Sequence, residues 1–263
     1  MAGKPEFIRS LPLMTKKVQR RVDNLYRRRI QSLQAVDDGI AQLIGTLRAN
    51  GQLDNTYIVF TSDNGFHLGQ FRMPSGKQTA YDFDIHLPLI VSGPGIPAGQ
   101  TTSRFVGNID LAPTFAAMAG ATPASFVDGR SFLGLAQDPS SSTPGRNSYL
   151  IEHWKEKSGR PPGETAPLEP NDLDQSATAV RTSKAAATTI PEYHAVRTQR
   201  YLYVEYTTGE RELYDVQADP YELHNIVTTA DPALVHALSA DLAALEHCKA
   251  ESCRAAEDAP APG

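Results

Sequence analysis

The sequence has no long apolar run and no strong excess of charge. None of its hydrophobic stretches approaches the roughly 18 residues of a membrane-spanning helix. The N-terminal stretch MAGKPEFIRSLPLMTKK lacks the hydrophobic core of a signal peptide, which predicts a cytosolic product if the chain is complete. The net charge of −5 gives no indication of a nucleic-acid partner. With 263 residues and 40% hydrophobic content, the chain is typical of one large or two small globular domains.

Cysteine is also scarce. Cys248 and Cys253 are the only two in the chain, and they lie too far apart for a CxxC redox motif. No second pair exists to complete a four-cysteine zinc site. Two interpretations remain open: a local disulfide, which would imply an oxidising, extracytoplasmic compartment, and two free thiols on a C-terminal tail. We favour the disulfide.

The order of elements in the first 120 residues is typical of an α/β domain. Apolar residues recur every three or four positions between Val18 and Leu47, which predicts a long helix that ends near Gly51. TYIVFTS (56–62) and LPLIVSGPG (87–95) are continuous apolar runs, as in parallel strands buried on both faces. NIDLAPTFAAMAG (108–120) predicts a further helix. The pattern favours an α/β fold with a mostly parallel sheet flanked by helices.

The composition changes in the C-terminal part of the chain. Residues 155–191 are rich in Pro, Ser, Thr and Ala, which predicts a long irregular loop. The β-prone runs YHAVRT, YLYVEY and RELYDV follow, with a glycine turn between the last two, and predict an antiparallel meander. A helix from about Asp231 to His247 completes the predicted fold.

Polar side chains follow the first predicted strand, in FTSDNGFHLGQFRMPSGK (60–77). Asn64-Gly65 is a strong hairpin signal. The glycines and the proline that follow make a poor second strand, however, so we favour a loop. In an open α/β sheet, ligands bind at the carboxyl ends of the strands, where this loop would lie. Asp63 and Asn64 offer hard oxygen ligands, which suit Ca²⁺ or Mg²⁺ rather than Zn²⁺.

Two downstream residues complete the candidate site. A lysine next to a divalent cation is favourable when an anion lies between them, so Lys77 would fit a sulfate or phosphate ester. His67 could donate a proton to the leaving group. Each of these residues, taken singly, is more commonly a surface polar group, so the prediction depends on their combination.

The motifs around these residues resemble those of the sulfatase family. The family pattern S-D-N/H-G, H-x-G-Q, Lys and Y-[DE]-x-D-I-x-[VL]-P is matched at Ser62–Gly65, His67–Gln70, Lys77 and Tyr81–Pro88. The stretches YRRRIQSLQAVDDGIAQLI, NIDLAPTFAAMAG and RTQRYLYVEYTTGERELYDVQADPYELHNI are also similar. The resemblance covers most of the chain except about 155–190. It is strongest to the branch of N-acetylglucosamine-6-sulfatases and extracellular sulfatases.

The resemblance implies a sulfuric ester hydrolase with an alkaline-phosphatase-like fold. It implies that Asp63 and Asn64 bind a single Ca²⁺, that Lys77 contacts the sulfate, and that His67 lies on the substrate side. The implied substrate is a sulfate ester, and this branch favours a sulfated sugar. His86 departs from the pattern, since arginine is common there, and we interpret that position as scaffold.

One part of the family machinery is missing. Sulfatases use a formylglycine nucleophile, made from Cys or Ser in a [CS]-x-P-x-R motif upstream of the metal strand, together with two further Asp ligands. Ser142-Thr143-Pro144-Gly145-Arg146 matches that motif. It follows the metal strand, however, and lacks the helix start and the Thr-Gly expected after it, so we do not interpret Ser142 as the nucleophile.

We therefore expect an incomplete enzyme that is inactive alone and that lacks an N-terminal half. Such a chain would bind Ca²⁺ weakly and expose apolar surface. Residues 1–150 would be the C-terminal portion of the catalytic α/β domain and 151–192 an irregular loop. Residues 193–250 would be an antiparallel subdomain with a terminal helix, and 251–263 a tail.

Two alternatives remain open. A phosphatase or phosphodiesterase of the same superfamily would hold two zinc ions, for which the seven histidines show no clustered ligand spacing. A truncated, non-catalytic protein with affinity for sulfated glycans would explain the missing nucleophile. It would not explain why Asp63, Asn64 and Lys77 are all present.

Overall fold

The computed structural model describes residues 2–73, 75–141, 145–154 and 190–263. Helices and strands alternate in the N-terminal part, and an antiparallel sheet with two helices forms the C-terminal part. The helices of the described ranges are α1 (Glu6–Arg9), α2 (Lys16–Ala49), α3 (Asp82–Ile85), α4 (Leu111–Met118), α5 (Leu133–Gln137), α6 (Pro232–Glu246) and α7 (Glu251–Asp258). The strands are β1 (Ile58–Thr61), β2 (Leu89–Ser92), β3 (Ser148–His153), β4 (Tyr193–Thr198), β5 (Tyr201–Tyr206) and β6 (Arg211–Asp215).

The long helix α2 confirms the helix predicted between Val18 and Leu47. Thr15 caps its N-terminus, where Oγ1 accepts from the Val18 N–H at 3.3 Å. Gly51 follows its end in the left-handed conformation, with φ of 64°. None of the side chains of α2 is buried. Five large apolar side chains of this helix are exposed: Tyr26, Ile30, Leu33, Val36 and Leu43. We expected exposed apolar surface at unpaired strands, which is a different surface, and that expectation stays a prediction.

The strands β1 and β2 pair with each other in the antiparallel direction, with Phe60 opposite Ile90 and Thr61 opposite Leu89. The parallel arrangement that we predicted for these strands is wrong. Burial on both faces, which we also predicted for these runs, is wrong as well, because no residue of β1 or β2 is buried and Ile90 is 62% exposed. A continuous apolar run contains no information on strand direction. The α/β class is confirmed, and Asp63 still follows the end of β1, because the direction of the partner does not change where β1 ends.

The C-terminal sheet has the strand order β3-β4-β5-β6 and is antiparallel throughout. Strands β4, β5 and β6 confirm the predicted meander. Strand β3 was not predicted, and its residues 151–153 lie in the segment that we assigned to an irregular loop. Its partner β4 begins at Tyr193, so the pairing is non-local, and a local sequence pattern does not reveal it.

The two faces of this sheet have separate cores. On one face, Tyr193, Tyr206 and Tyr214 pack with residues of the site segment, among them Met73 and Tyr81. Phe7 and Ile8 of α1 join this core, as does the buried side chain of Lys4. On the other face, the sheet packs against the apolar side of α6. The first of these cores connects the sheet to the candidate site.

The C-terminus is more ordered than we predicted. Helix α6 confirms the predicted final helix, and Asp231 caps it by accepting from the Ala233 N–H at 2.8 Å. Cys248 and Cys253 form the disulfide that we favoured. Helix α7 then occupies most of the region that we assigned to a tail.

Some predicted features lie outside the described residues. These are Ser142, Thr143 and Pro144 of the S-x-P-x-R match and most of the predicted irregular loop, 155–189. Within the described ranges, none of the helices combines the length and the apolar character that crossing a membrane requires.

Candidate active site

The turn after β1 presents Asp63 and Asn64, as predicted. The Asp63 side chain is exposed, and the Ser62 hydroxyl lies 3.4 Å from its Oδ1. Asn108 fixes the turn from the side: its Nδ2 donates to the carbonyls of Ser62 and Asp63 at 3.2 and 3.0 Å. The Asn64 amide nitrogen donates to the Gly65 carbonyl at 2.7 Å, which leaves Oδ1 of Asn64 as an acceptor for other groups.

Gly65 connects this turn to a second segment of the chain. Its N–H donates to the Asp84 carbonyl at 2.8 Å, and the Phe66 N–H donates to the Phe83 carbonyl at 3.0 Å. A Cβ at position 65 would lie 2.2 Å from the Phe83 oxygen, so the approach requires glycine. Because β1 pairs with β2 rather than with the residues that follow Gly65, the loop that we favoured is confirmed over the hairpin.

Lys77 lies next to Asn64. Its Nζ donates to Asn64 Oδ1 at 3.0 Å, although the two residues are 13 positions apart. The structure therefore brings together two of the four predicted site residues, and Asp63 adjoins them in the chain. An ammonium group, an amide oxygen and an exposed carboxylate occur at one turn, which is a suitable arrangement for binding an anion together with a cation.

His67 is more enclosed than the other three residues. Its side chain is only 5% exposed, and its Nδ1 lies 2.9 Å from Asp84 Oδ2. Its Nε2 lies against Gly76, where an added Cβ would be 2.7 Å away. The proton-donor role that we predicted for His67 is not tested by this geometry and stays a prediction.

The C-terminal sheet holds the segment that follows Lys77. The Tyr193 hydroxyl donates to the Gln78 carbonyl at 3.0 Å. The Arg197 guanidinium makes two bonds to the carboxylate of Asp82, at 2.9 and 3.0 Å. The Asp82 N–H in turn donates to the carboxylate of Glu222 at 3.1 Å. The conformation of the site loop therefore depends on the sheet.

A buried carboxylate lies beneath the loop. Glu212 is 0% exposed, and burial raises its pKa. The Lys4 ammonium lies 3.9 Å from Glu212, and burial lowers the pKa of Lys4 to about 8. Burial, followed by the charge of Asp82, raises the pKa of Glu222 to about 8. The pKa values of Lys4 and Glu222 therefore move towards each other, both to about 8.

The oxygen donors at the turn fit a hard cation in part. Asp63 offers an exposed carboxylate, and Asn64 offers an amide oxygen with a lone pair in addition to the one that Lys77 uses. Calcium takes about six to eight oxygens, so these two residues supply a minority of the ligands. Among the residues that the structure describes, no group of three or more His, Cys, Asp or Glu side chains could hold a metal ion.

Three residues at this site were not predicted. Asp84 lies inside the matched motif but has no chemical signal that separates it from Asp82. Asn108 begins the predicted helix stretch, where a polar residue is normally interpreted as a cap. Tyr193 is one of five tyrosines in the three β-prone runs, and nothing in the sequence indicates which of them reaches the loop.

The sequence and the fold match known sulfatases. The Sulfatase family model matches residues 6–121. The chain is 39% identical over 241 residues to the N-acetylglucosamine-6-sulfatase of Capra hircus, which covers 89% of this chain and 42% of the goat protein. A solved structure of a protein in complex with its substrate D-glucosamine-2-N,6-O-disulfate is 28% identical, with a TM-score of 0.65 over 80% of this chain and 38% of that chain. A phosphonate monoester hydrolase from Silicibacter pomeroyi is 28% identical, with a TM-score of 0.55 over 80% of this chain and 37% of that chain.

The chain spans 42% of the length of the goat protein and 38% of the protein that was solved with its substrate. The family match contains Asp63, Asn64, His67 and Lys77. The structural neighbours confirm the alkaline-phosphatase-like fold class. The chain therefore belongs to the sulfatase family.

Proposed function

We propose that this chain carries one half of the active site of a sulfuric ester hydrolase that acts on a sulfated sugar. The observation that carries the proposal is the 3.0 Å contact of Lys77 Nζ with Asn64 Oδ1, beside the exposed carboxylate of Asp63. A cationic group at this position would neutralise charge on the sulfate oxygens as the bond to the sugar oxygen breaks. The name of the goat relative and the substrate of the similar solved structure support a sulfated sugar.

Asp63 and Asn64 are proposed to hold a single Ca²⁺ in the complete site. The ion, when bound, would polarise the sulfate oxygens. Asn64 Oδ1 has two lone pairs, so it can accept from Lys77 and face the ion at the same time. Because these residues provide only two of the about six to eight oxygens that calcium takes, the chain alone should bind Ca²⁺ weakly.

His67 is proposed as the proton donor to the departing alcohol. With Nδ1 engaged by Asp84, the ring has Nε2 as the nitrogen that can serve the substrate. That nitrogen is packed against Gly76, where an added Cβ would lie 2.7 Å away, and the His67 side chain is only 5% exposed. The role of His67 therefore requires the leaving oxygen to lie near the backbone of Gly76.

The nucleophile and the remaining metal ligands are proposed to come from a segment equivalent to the part of the relatives that this chain does not match. The same segment would cover the exposed apolar side chains of α2. On this proposal, the chain alone is inactive.

The first test is an assay of the purified chain with Ca²⁺ and a chromogenic aryl sulfate, beside Lys77→Ala. We expect no turnover from either protein. Turnover by the chain that Lys77→Ala abolishes would show a complete catalyst and would contradict the half-site proposal.

The second test is binding of inorganic sulfate, measured by calorimetry. Lys77→Ala should weaken binding, whereas Lys16→Ala, which removes an exposed lysine of α2, should not. Equal sulfate affinity in the wild type and Lys77→Ala would contradict the role of Lys77.

A second candidate is hydrolysis of a phosphonate or phosphate ester. The similarity to the phosphonate monoester hydrolase favours it, and a phosphonate offers Lys77 the same kind of anionic oxygen. Binding of phenylphosphonate that is tighter than binding of sulfate, and that depends on Lys77, would favour this candidate.

A further inference from the structure

The backbone around Lys77 is anchored on its N-terminal side. The His67 N–H donates to the Gly76 carbonyl at 2.9 Å, and the Gly76 N–H donates back to the His67 carbonyl at 3.1 Å. On the C-terminal side, Gln78 has φ of 82°, a left-handed conformation that disfavours any residue with a side chain. The surrounding contacts must therefore maintain the conformation of this segment.

Two side chains provide those contacts. The Tyr193 hydroxyl donates to the Gln78 carbonyl at 3.0 Å. The Asp84 carboxylate accepts from the Thr79 N–H at 3.0 Å and from the Thr79 hydroxyl at 2.6 Å. The carbonyl of Gln78 and the N–H of Thr79 belong to the same peptide group, so that group is bonded on both of its polar atoms.

Both side chains have fixed positions. Tyr193 is 2% exposed, and its ring lies 5.6 Å from the rings of His153 and Tyr206. Burial raises the pKa of Tyr193, so its hydroxyl stays protonated and donates. Asp84 is 4% exposed and is also bonded to His67. A rigid donor and a rigid acceptor therefore hold one peptide group.

We infer that Tyr193 and Asp84 are positioning residues that hold Lys77 beside Asn64. They fix the peptide group between Gln78 and Thr79 and thereby set the direction in which the Lys77 side chain leaves the backbone. Through Tyr193, 115 positions from Gln78, the C-terminal sheet takes part in the anion site. The inference deepens the proposed function and rests on the role of Lys77 in binding sulfate.

The test compares two matched substitutions in the full chain. Tyr193→Phe removes the hydroxyl that reaches Gln78 and keeps the ring. Tyr206→Phe removes a hydroxyl from the same core, but one that bonds Glu212 and not the loop. Both variants lose a buried hydrogen bond, so both should have a lower melting temperature.

The readout is the NMR signal of Lys77 after the lysines are reductively dimethylated with ¹³C-formaldehyde and a borane reductant, with the signal assigned by Lys77→Arg. A dimethylated ammonium keeps its charge and one N–H. Tyr193→Phe should move the Lys77 signal towards those of exposed lysines. The variant should also bind inorganic sulfate about three- to tenfold more weakly when the titration is followed by the Lys77 signal, which is the factor expected for one hydrogen bond. Tyr206→Phe should change neither property.

A Lys77 signal in Tyr193→Phe that is identical to that of the wild type would overturn the inference. An equal displacement in both variants would also overturn it, because general loosening would then be the cause. Asp84→Asn keeps the size of the side chain and should move the Lys77 signal in the same direction as Tyr193→Phe. If Asp84→Asn does not fold, the result for Tyr193→Phe alone tests the inference. If sulfate does not bind but the signal moves only in Tyr193→Phe, the positioning stands and the proposed function fails.

Discussion

The Tyr81 hydroxyl donates to the Glu212 carboxylate at 2.8 Å, across 131 positions of sequence. Tyr206 and Tyr214 also donate to this carboxylate, and the Lys4 ammonium lies 3.9 Å from it. Glu212 therefore joins the site loop, the C-terminal sheet and the N-terminal segment. The Lys4 ammonium balances the charge of this buried carboxylate.

The first prediction concerns that balance. Lys4→Met should cost about 3–5 kcal/mol of unfolding free energy, because it leaves the buried charge of Glu212 without a cation. The double variant Lys4→Met with Glu212→Gln should recover part of that loss, since neither buried charge remains. Urea denaturation of the wild type, both single variants and the double variant measures the coupling free energy between the two groups. If the losses of unfolding free energy in the single variants add up to the loss in the double variant, the two groups do not interact.

The second prediction is a minimum of stability near pH 8. The pKa of Glu222 rises from 4.5 in the unfolded chain to about 8 in the folded one. Between these values the folded chain holds the extra proton, so stability is lost as pH rises, by up to about 1.4 kcal/mol per pH unit. The pKa of Lys4 falls from 10.5 to about 8 on folding, so above pH 8 the unfolded chain holds the extra proton and stability increases again.

Urea denaturation between pH 5 and pH 10 measures this profile. Glu222→Gln should reduce the fall below pH 8 and leave the rise above it, and the fall that remains would come from Glu212, whose pKa burial also raises. Glu251→Gln, which changes an exposed carboxylate, should leave both limbs unchanged. A flat wild-type profile would contradict the prediction.

The third prediction concerns the close approach at Gly65. Gly65→Ala places a Cβ 2.2 Å from the Phe83 carbonyl oxygen, so the backbone of the site turn must move. We expect a loss of about 1–3 kcal/mol, as for other overpacking substitutions. Gly134→Ala is the control, because its Cβ would meet no atom within 4 Å. If Gly65→Ala is as stable as the control, the described approach of the two segments is wrong.

Local sequence patterns predicted most helices and strands of the fold, but they did not predict how strands that are distant in the sequence pair. The helical periodicity was sufficient to predict α2, and the β-prone runs were sufficient to predict β4, β5 and β6. The direction of the pairing of β1 with β2 and the existence of β3 depend on distant partners. The N-terminal segment is too short to show a period, although Ile8 is fully buried.

The candidate site also contains residues that the sequence indicated and residues that only the structure revealed. Asp63 and Asn64 were candidates because they follow a strand and offer hard oxygen ligands, and Lys77 was one because its charge suits an anion. Their roles stay predictions. Asp84 and Tyr193 act on the backbone of the loop, and their side chains have no distinctive chemistry. Contacts of this kind depend on tertiary packing, which no local motif encodes.

The fourth prediction concerns the C-terminal disulfide. The loop closed by Cys248 and Cys253 is short, so reduction should cost about 2 kcal/mol or less. Helix α7 should remain docked after reduction, because the Glu257 carboxylate also forms an ion pair with Nε of the buried Arg146 guanidinium at 2.8 Å. Urea denaturation with and without reductant measures the cost, and a variant with both cysteines changed to serine should not respond to reductant. Loss of cooperative unfolding on reduction would contradict the prediction.

The final prediction concerns the exposed face of α2. Ile30 and Leu33 are 44% and 56% exposed, and the helix buries none of its side chains. Apolar surface of this kind drives association, so the isolated chain should self-associate in sedimentation experiments. Ile30→Glu with Leu33→Glu should shift it towards the monomer and change the unfolding free energy of the monomer by less than about 0.5 kcal/mol. Gln31→Glu with Gln34→Glu adds the same charge to exposed polar positions and should leave association intact. A wild-type chain that is monomeric throughout would show that this face does not drive association.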